Sequence, residues 1–253
     1  MQTSPPLIPG ILKSTWYFLR MTALTAIVLA TLFTAFTPAG LLPSALAPDS
    51  PFINDDPQRS AFLTPTPRAR PHLGIVAGHW GNDSGAVCSD GLTEMEINLN
   101  VASLVKEYLT NAGFEIDLLQ EFDPKLAGYQ ALALVSIHTD SCLYINDLAT
   151  GFKVAPALGN AQPERSSRLA ACLRNRYARS TGLAFHANTI TPDMTSYHAF
   201  DEIHNETPAA IIEIGFMNLD RQILTREPEK IAAGIAEGIL CFIYNEDINN
   251  PQP

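Results

Sequence analysis

Four polar residues in this chain stand at or near the ends of predicted strands or at the start of a helix. His79 follows LGIVA in the glycine-rich stretch GHWGNDSGAVC, residues 78–88. Glu94 opens a periodic segment behind Leu92 and Thr93, His138 closes LALVSIH, and Glu213 interrupts AAIIEIGF. Two histidines and a carboxylate are a zinc-binding set that leaves a fourth position for water. Zinc lowers the pKa of such a water to about 7, and a carboxylate outside the ligand set can serve as general base. Taken singly, His79 reads as a loop histidine, Glu94 as a charge favoured at a helix N-terminus and His138 as a strand-end polar residue. Glu213 resists a bland reading, because a carboxylate within an apolar strand is costly unless paired, protonated or coordinated.

The elements around these residues explain how they would meet. Leu73 to Ala77 is a short apolar strand ended by Gly78. Thr93 and Glu96 form the capping box of a helix whose apolar stripe runs through Ile97, Val101, Leu104, Val105 and Tyr108. Asn111, Ala112 and Gly113 stop it. Phe114–Leu119 and Ala131–Ile137 are further strands, the latter apolar throughout and so buried on both faces. Gly151–Ala155 is a short fourth strand. Arg165–Ser180 is a helix, Ala209–Ile214 another apolar strand, and Pro228 begins a last helix with Ile231, Ile235, Ile239 and Phe242 as its stripe. Alternating strands and helices predict a three-layer α/β domain with a mostly parallel twisted sheet. Sites in such sheets form at the carboxyl edge of the strands, where His79, Glu94, His138 and Glu213 converge.

Other constellations are weaker. Ser136, His138 and Asp140 lie too close in sequence to converge as a triad, and there is no G-x-S-x-G elbow and no H-E-x-x-H. His186, His198 and His204 fall in a polar stretch and read as surface residues, with one of them, such as His198, available to line a cleft. His72 borders a linker and reads as solvated.

At the four motifs the chain resembles the zinc-dependent N-acetylmuramoyl-L-alanine amidases of the amidase-3 family. That family's GHGG-type loop appears as Gly78-His79-Trp80-Gly81, its E-x-x-x-N helix start as Glu94 to Asn98, its S-I-H as Ser136-Ile137-His138, and its E-x-G-F as Glu213-Ile214-Gly215-Phe216, with Asn218 following. Order and spacing fit from about residue 73 to 244. The resemblance implies zinc held by His79, Glu94 and His138, and Glu213 as the base that activates water to attack the amide between the muramoyl lactyl group and L-alanine of peptidoglycan. Three departures concern substrate detail. Trp80 replaces a glycine and is available to shape the cleft wall. Asp140 stands where an asparagine often follows the histidine. The segment LLQEFDPKLAGYQ is short and lacks the family's arginine. Two other functions compete with an active amidase: a non-catalytic wall-binding or regulatory relative, and a carboxypeptidase-like zinc hydrolase of another peptide amide. All four motif residues are retained, which disfavours the former.

Cys88 and Cys142 lie in loops at the same sheet edge and are candidates for a disulfide bracing the site. Cys172 and Cys241 lie among apolar residues on helices and read as small core hydrophobes. The helix from Arg165 carries arginines at 165, 168, 174, 176 and 179. These read as a solvated basic face, the alternative being contact with anionic wall polymers.

A formal net charge of -10 argues against nucleic-acid binding. The chain of 253 residues is long enough for one sizeable domain plus accessories. Lys13 and Arg20 are the only charges in the first 48 residues, and Met21 to Phe36 is apolar apart from threonines. Residues 1–47 are therefore a signal peptide ending at Ala45-Leu46-Ala47 or an uncleaved anchor flanked by Trp16, Tyr17 and Phe18. Either places the remainder outside the cytoplasmic membrane, secreted or anchored, with membrane contact only through this segment. Residues 48–71 hold six prolines and are an extended linker. The catalytic domain is expected at 72–247, with a flexible tail at 248–253, and the chain is read as a monomer.

Overall fold

Side chains along a strand point alternately to its two faces, so a strand buried on both needs a continuous apolar run, and β1 (His72–Ala77), buried at every position after His72, is built that way. The structure, a computed structural model, describes residues 71–248. The expected leader or anchor at 1–47, nearly all of the linker and nearly all of the tail lie outside these. Among the described residues no helix is long and apolar enough to cross a membrane.

The elements follow in the order β1, α1 (Glu94–Asn111), β2 (Glu115–Leu119), β3 (Leu134–Asp140), β4 (Lys153–Pro156), α2 (Pro163–Thr181), α3 (Pro192–Thr195), α4 (His198–Glu202), β5 (Ala209–Phe216), α5 (Arg221–Arg226) and α6 (Pro228–Ile243). The sheet order is β2-β1-β3-β5-β4. All neighbours are parallel except the edge pair of β4 with β5. Parallel order follows from the crossovers: α1 carries the chain from β1 to β2, and long excursions separate β3, β4 and β5.

Residue parity divides the core between the two faces. Leu73, Ile75, Ala77, Val135, Ile137, Ile212 and Ile214 face α1, α2 and α6. Val76, Leu134, Ala155, Ala209 and Ile211 face a thinner layer formed by Leu126, Tyr129, Met194, Tyr197 and Phe200. The sheet is thus covered on both sides, as the apolar strands require.

The structure departs from the sequence reading in five places. β3 begins at Leu134, not Ala131, and runs on to Asp140, so His138 lies within the strand. The extension follows β5, which also continues past Ile214 to Phe216 and pairs with it across a bulge. Cys172 and Cys241 form a disulfide between α2 and α6; periodicity places each on an apolar face but says nothing of which faces meet. Not all the α2 arginines are solvated. Arg176 is buried and paired with Glu246 at 2.8 Å, and Arg168 donates to the Glu246 carbonyl at 2.8 Å. His72 begins β1 and is paired with Asp117 at 2.7 Å beside the Tyr129 hydroxyl. The polar stretch before β5 holds two short helices, α3 and α4, which cover one sheet face.

Candidate active site and metal centre

The chain leaves β1 at Gly78, whose N–H still bonds Ile137 of β3 at 2.9 Å. A side chain here would overlap the His138 ring, since a Cβ on Gly78 would lie 2.5 Å from Cε1. His79 then turns the backbone with φ 66°, a left-handed conformation uncommon outside glycine, though histidine, asparagine and aspartate adopt it more often than other side chains. Its N–H is held by the Glu121 carboxylate at 2.7 Å. Its Nδ1–H donates to Asp83 at 2.6 Å, which leaves Nε2 free to face inward. Gly85 lets the loop close over the site: a Cβ there would stand 2.7 Å from both Glu94 Oε2 and His79 Cδ2.

Glu94 is presented by the capping box. Thr93 accepts from the Glu96 N–H and Glu96 accepts from the Thr93 N–H, so α1 starts at a defined residue. The Glu94 carboxylate accepts from the Ala86 N–H at 3.1 Å, the Thr139 N–H at 3.1 Å and the Asn98 amide at 3.3 Å. Asn98 also donates to the Gly78 carbonyl at 3.2 Å and accepts from the Thr139 hydroxyl at 2.7 Å. One amide thereby ties together the ends of β1 and β3 and the first turn of α1. Burial opposes ionisation of Glu94, but His138, His79 and these N–H groups outweigh it and hold the carboxyl well below the usual range.

His138 on β3 pairs in register with Glu213 on β5, and Glu213 with Lys153 on β4. In-register neighbours share a sheet face, so these three stand in a row on the face covered by α3 and α4. His79 Nε2 lies 3.3 Å and His138 Nδ1 3.4 Å from Glu94 Oε1. The three residues form a group able to hold a metal ion, with their ligand atoms within 4.8 Å of one another. Hydrogen bonding to Glu94 raises His79 to about 9, burial notwithstanding. Burial would lower His138, yet Glu94, Glu213 and Glu121 raise it. A site that holds protons this firmly is one whose field favours cations. Burial raises Glu213 to about 7; Asp140 and Glu94 add to this, while His138 and Lys153 pull the other way. Asp140 is ion-paired with the buried Lys153 at 2.6 Å, and burial still leaves its carboxyl above the ordinary value.

The remaining sequence candidates fall around this centre. Trp80 packs against the main core cluster, and its carbonyl accepts the Glu121 N–H at 3.0 Å. His198 begins α4, with Nε2 3.0 Å from Glu121 and Nδ1 2.9 Å from Glu202, and stacks on Phe122. Cys88 and Cys142 are disulfide-bonded, joining the loop after β1 to the loop after β3. His204 lies apart, bonded to the Glu206 N–H, whereas His186, bonded to Thr189, has its ring 5.8 Å from that of Phe216, the strand partner of Asp140.

Sequence reasoning passed over Asp83, Thr139 and Glu121, and met Asn98 only as the last residue of the E-x-x-x-N motif. Glu121 was open to the same edge rule that singles out His79, because it lies just past the carboxyl end of β2. Burial opposes its ionisation, but His198, His138, the His79 N–H and Tyr197 hold it down at about 2.

A mostly parallel sheet with a His-Glu-His group able to hold a metal ion and a half-buried glutamate at its carboxyl edge is a class of arrangement suited to metal-assisted hydrolysis. Comparison with known proteins narrows the class. The N-acetylmuramoyl-L-alanine amidase family model, amidase-3, matches residues 73–241, and the chain belongs to that family. Its activity is hydrolysis of peptidoglycan at the amide between N-acetylmuramic acid and L-alanine. Solved structures share the fold. The CwlD amidase of Clostridioides difficile, solved in complex with the GerS lipoprotein, is 21% identical with a TM-score of 0.55, covering 70% of this chain and 100% of its own. The amidase AmiC2 of Nostoc punctiforme is 24% identical with a TM-score of 0.52, covering 69% and 97%. Ami1 of Mycobacterium smegmatis is 19% identical with a TM-score of 0.55, covering 70% and 99%. The search of curated protein sequences found no match.

Proposed function

We propose that His79, Glu94 and His138 hold a zinc ion and that Glu213 is the general base. One observation carries this reading: the two nitrogens lie 3.3 and 3.4 Å from the same carboxylate oxygen. Ligands at 2.0–2.1 Å around a tetrahedral zinc are about 3.3 Å apart, so the group fits the ion with little rearrangement. Two imidazoles and one carboxylate also match the donor set of a catalytic zinc that keeps one position open.

Zinc bound there would supply Lewis acidity to the substrate carbonyl and lower the pKa of a water. The chain's own residues supply the rest. Asp83 and Asn98 orient His79 and Glu94. Glu213, adjacent to His138 on the neighbouring strand, takes a proton from the attacking water and delivers it to the L-alanine amine as the amide C–N bond breaks. A carboxyl raised to about 7 suits both transfers. The products are a lactyl carboxylate on the muramic acid and a stem peptide with a free N-terminus.

The domain works on the cell wall, and residues 1–47 export it, as a cleaved leader or a retained anchor, with 48–71 as spacer and 248–253 as tail; the protein works as a monomer. Digestion of peptidoglycan with the zinc-loaded protein, followed by mass spectrometry, tests the reading. Stem peptides beginning at L-alanine are expected from the native protein and not from Glu213→Ala. Cleavage inside the stem would overturn the amidase mechanism in favour of a carboxypeptidase-like one.

A further inference from the structure

The two histidines of the centre are not supported alike. His79 has Asp83 behind its second nitrogen at 2.6 Å. His138, with Nδ1 turned toward Glu94, has a buried Nε2 that makes no hydrogen bond. A buried imidazole N–H without an acceptor is costly, and ligating histidines almost always give that N–H to a carboxylate, a carbonyl or water. The carboxylate facing it is Glu121, with Oε2 3.5 Å from His138 Nε2.

Glu121 is fixed from several sides. Its Oε2 accepts the His79 N–H at 2.7 Å. Its Oε1 accepts from the Tyr197 hydroxyl at 2.8 Å and lies 3.0 Å from His198 Nε2. Its own N–H bonds the Trp80 carbonyl at 3.0 Å. It is only 5% exposed. The same oxygen therefore meets the backbone of one histidine and the ring of the other. It comes from LLQEFDPKLAGYQ, the segment where this sequence departs from its family's pattern.

We propose that Glu121 is a positioning residue of the metal centre: it holds His79 in its left-handed turn and receives the Nε2–H of His138 when Nδ1 engages the ion. Glu121 does for His138 what Asp83 does for His79, and it secures both ligands through one carboxylate. The inference rests on the reading of His79, Glu94 and His138 as metal ligands.

Zinc affinity of the full-length protein, measured by competition with a chromophoric chelator, tests it, alongside the visible absorption of the cobalt-substituted protein. Glu121→Gln keeps the shape and an acceptor for the His79 N–H but removes the charge. The expected result is a 10–100-fold rise in the zinc Kd and a shift of the cobalt bands, which report the ligand field. Tyr197→Phe keeps the ring against His138 and loses only the hydroxyl, and its zinc Kd is expected to change less than threefold. A zinc Kd for Glu121→Gln within twofold of native, with unshifted cobalt bands, would overturn the proposal. Should Glu121→Gln not fold, proton NMR of the native zinc form decides. An exchange-protected, strongly downfield His138 Nε2–H supports the bond, and its absence overturns it. Failure of the native protein to bind zinc, or undiminished binding by Glu94→Ala, would instead sink the underlying ligand assignment.

Discussion

Chemistry at the residue scale depends on keeping two carboxylates different. Glu94 is surrounded by N–H donors and two imidazoles and stays ionised. Glu213 lacks such donors, and burial lifts it to about 7. Environments that push two carboxyls apart separate a ligand from a base. The pH dependence follows in sign. As the proposed base, Glu213 must be ionised to accept a proton, and its pKa is raised, so kcat/KM is expected to fall as pH drops through about 7, tenfold per unit below. A bound dication draws this limb to lower pH, never higher. Glu213→Gln is expected to lose activity by 10²–10⁴-fold. A pH–rate profile of the two proteins checks this, and an acid limb above pH 8 would refute the assignment. His79 and Glu213 were legible in the sequence because each breaks a local rule, a histidine amid glycines and a charge within an apolar run, and Glu94 and His138 because they stand at the same edge and complete a ligand set. The edge rule that singles out His79 reaches Glu121 too, but only the arrival of His79, His138, Tyr197 and His198 from other segments distinguishes it from an ordinary charged residue after a strand.

Close approach dominates at the scale of elements. α2 and α6 meet through glycines: a Cβ on Gly238 would lie 2.7 Å from the Leu173 Cα, and one on Gly234 3.1 Å from the Tyr177 Cα. Backbone atoms cannot swing aside as a side chain would, so the helices themselves would have to separate. Gly238→Ala gains helix propensity of up to about 1 kcal/mol but meets overpacking of about 1–3 kcal/mol. A net loss of about 1 kcal/mol in chemical denaturation is expected, whereas a gain would show that the helices can part freely. The Cys172–Cys241 disulfide joins the same pair of helices. Helix spans here were readable from the capping box and the 3.6-residue stripe. The extension of β3 through His138 was not, because β5, which lies far along the chain, supplies its partners.

The molecule as a whole gathers its centre from segments far apart in sequence: His79 after β1, Glu94 on α1, Glu121 after β2, His138 on β3 and Glu213 on β5. An ion that binds only when all are assembled stabilises the fold by mass action, about 4 kcal/mol at a thousandfold excess over its Kd. At about 2–4 °C per kcal/mol for a domain of this size, chelation is expected to lower the melting temperature by roughly 8–16 °C, and added zinc to restore it. Calorimetry of chelated and reloaded protein checks this, with no change as the refuting result.

Local pattern alone determined the alternation of strands and helices, the parallel sheet, the edge at which a site must lie and the residue types that gather there. These are written in periodicity and in glycine placement, and both act over a few residues. Which helix faces meet, that Cys172 finds Cys241, that Lys153 answers Asp140 and that Glu121 turns inward were decided only by the tertiary structure. Each of these depends on distances between residues far apart in sequence, and such distances are set by packing the whole domain.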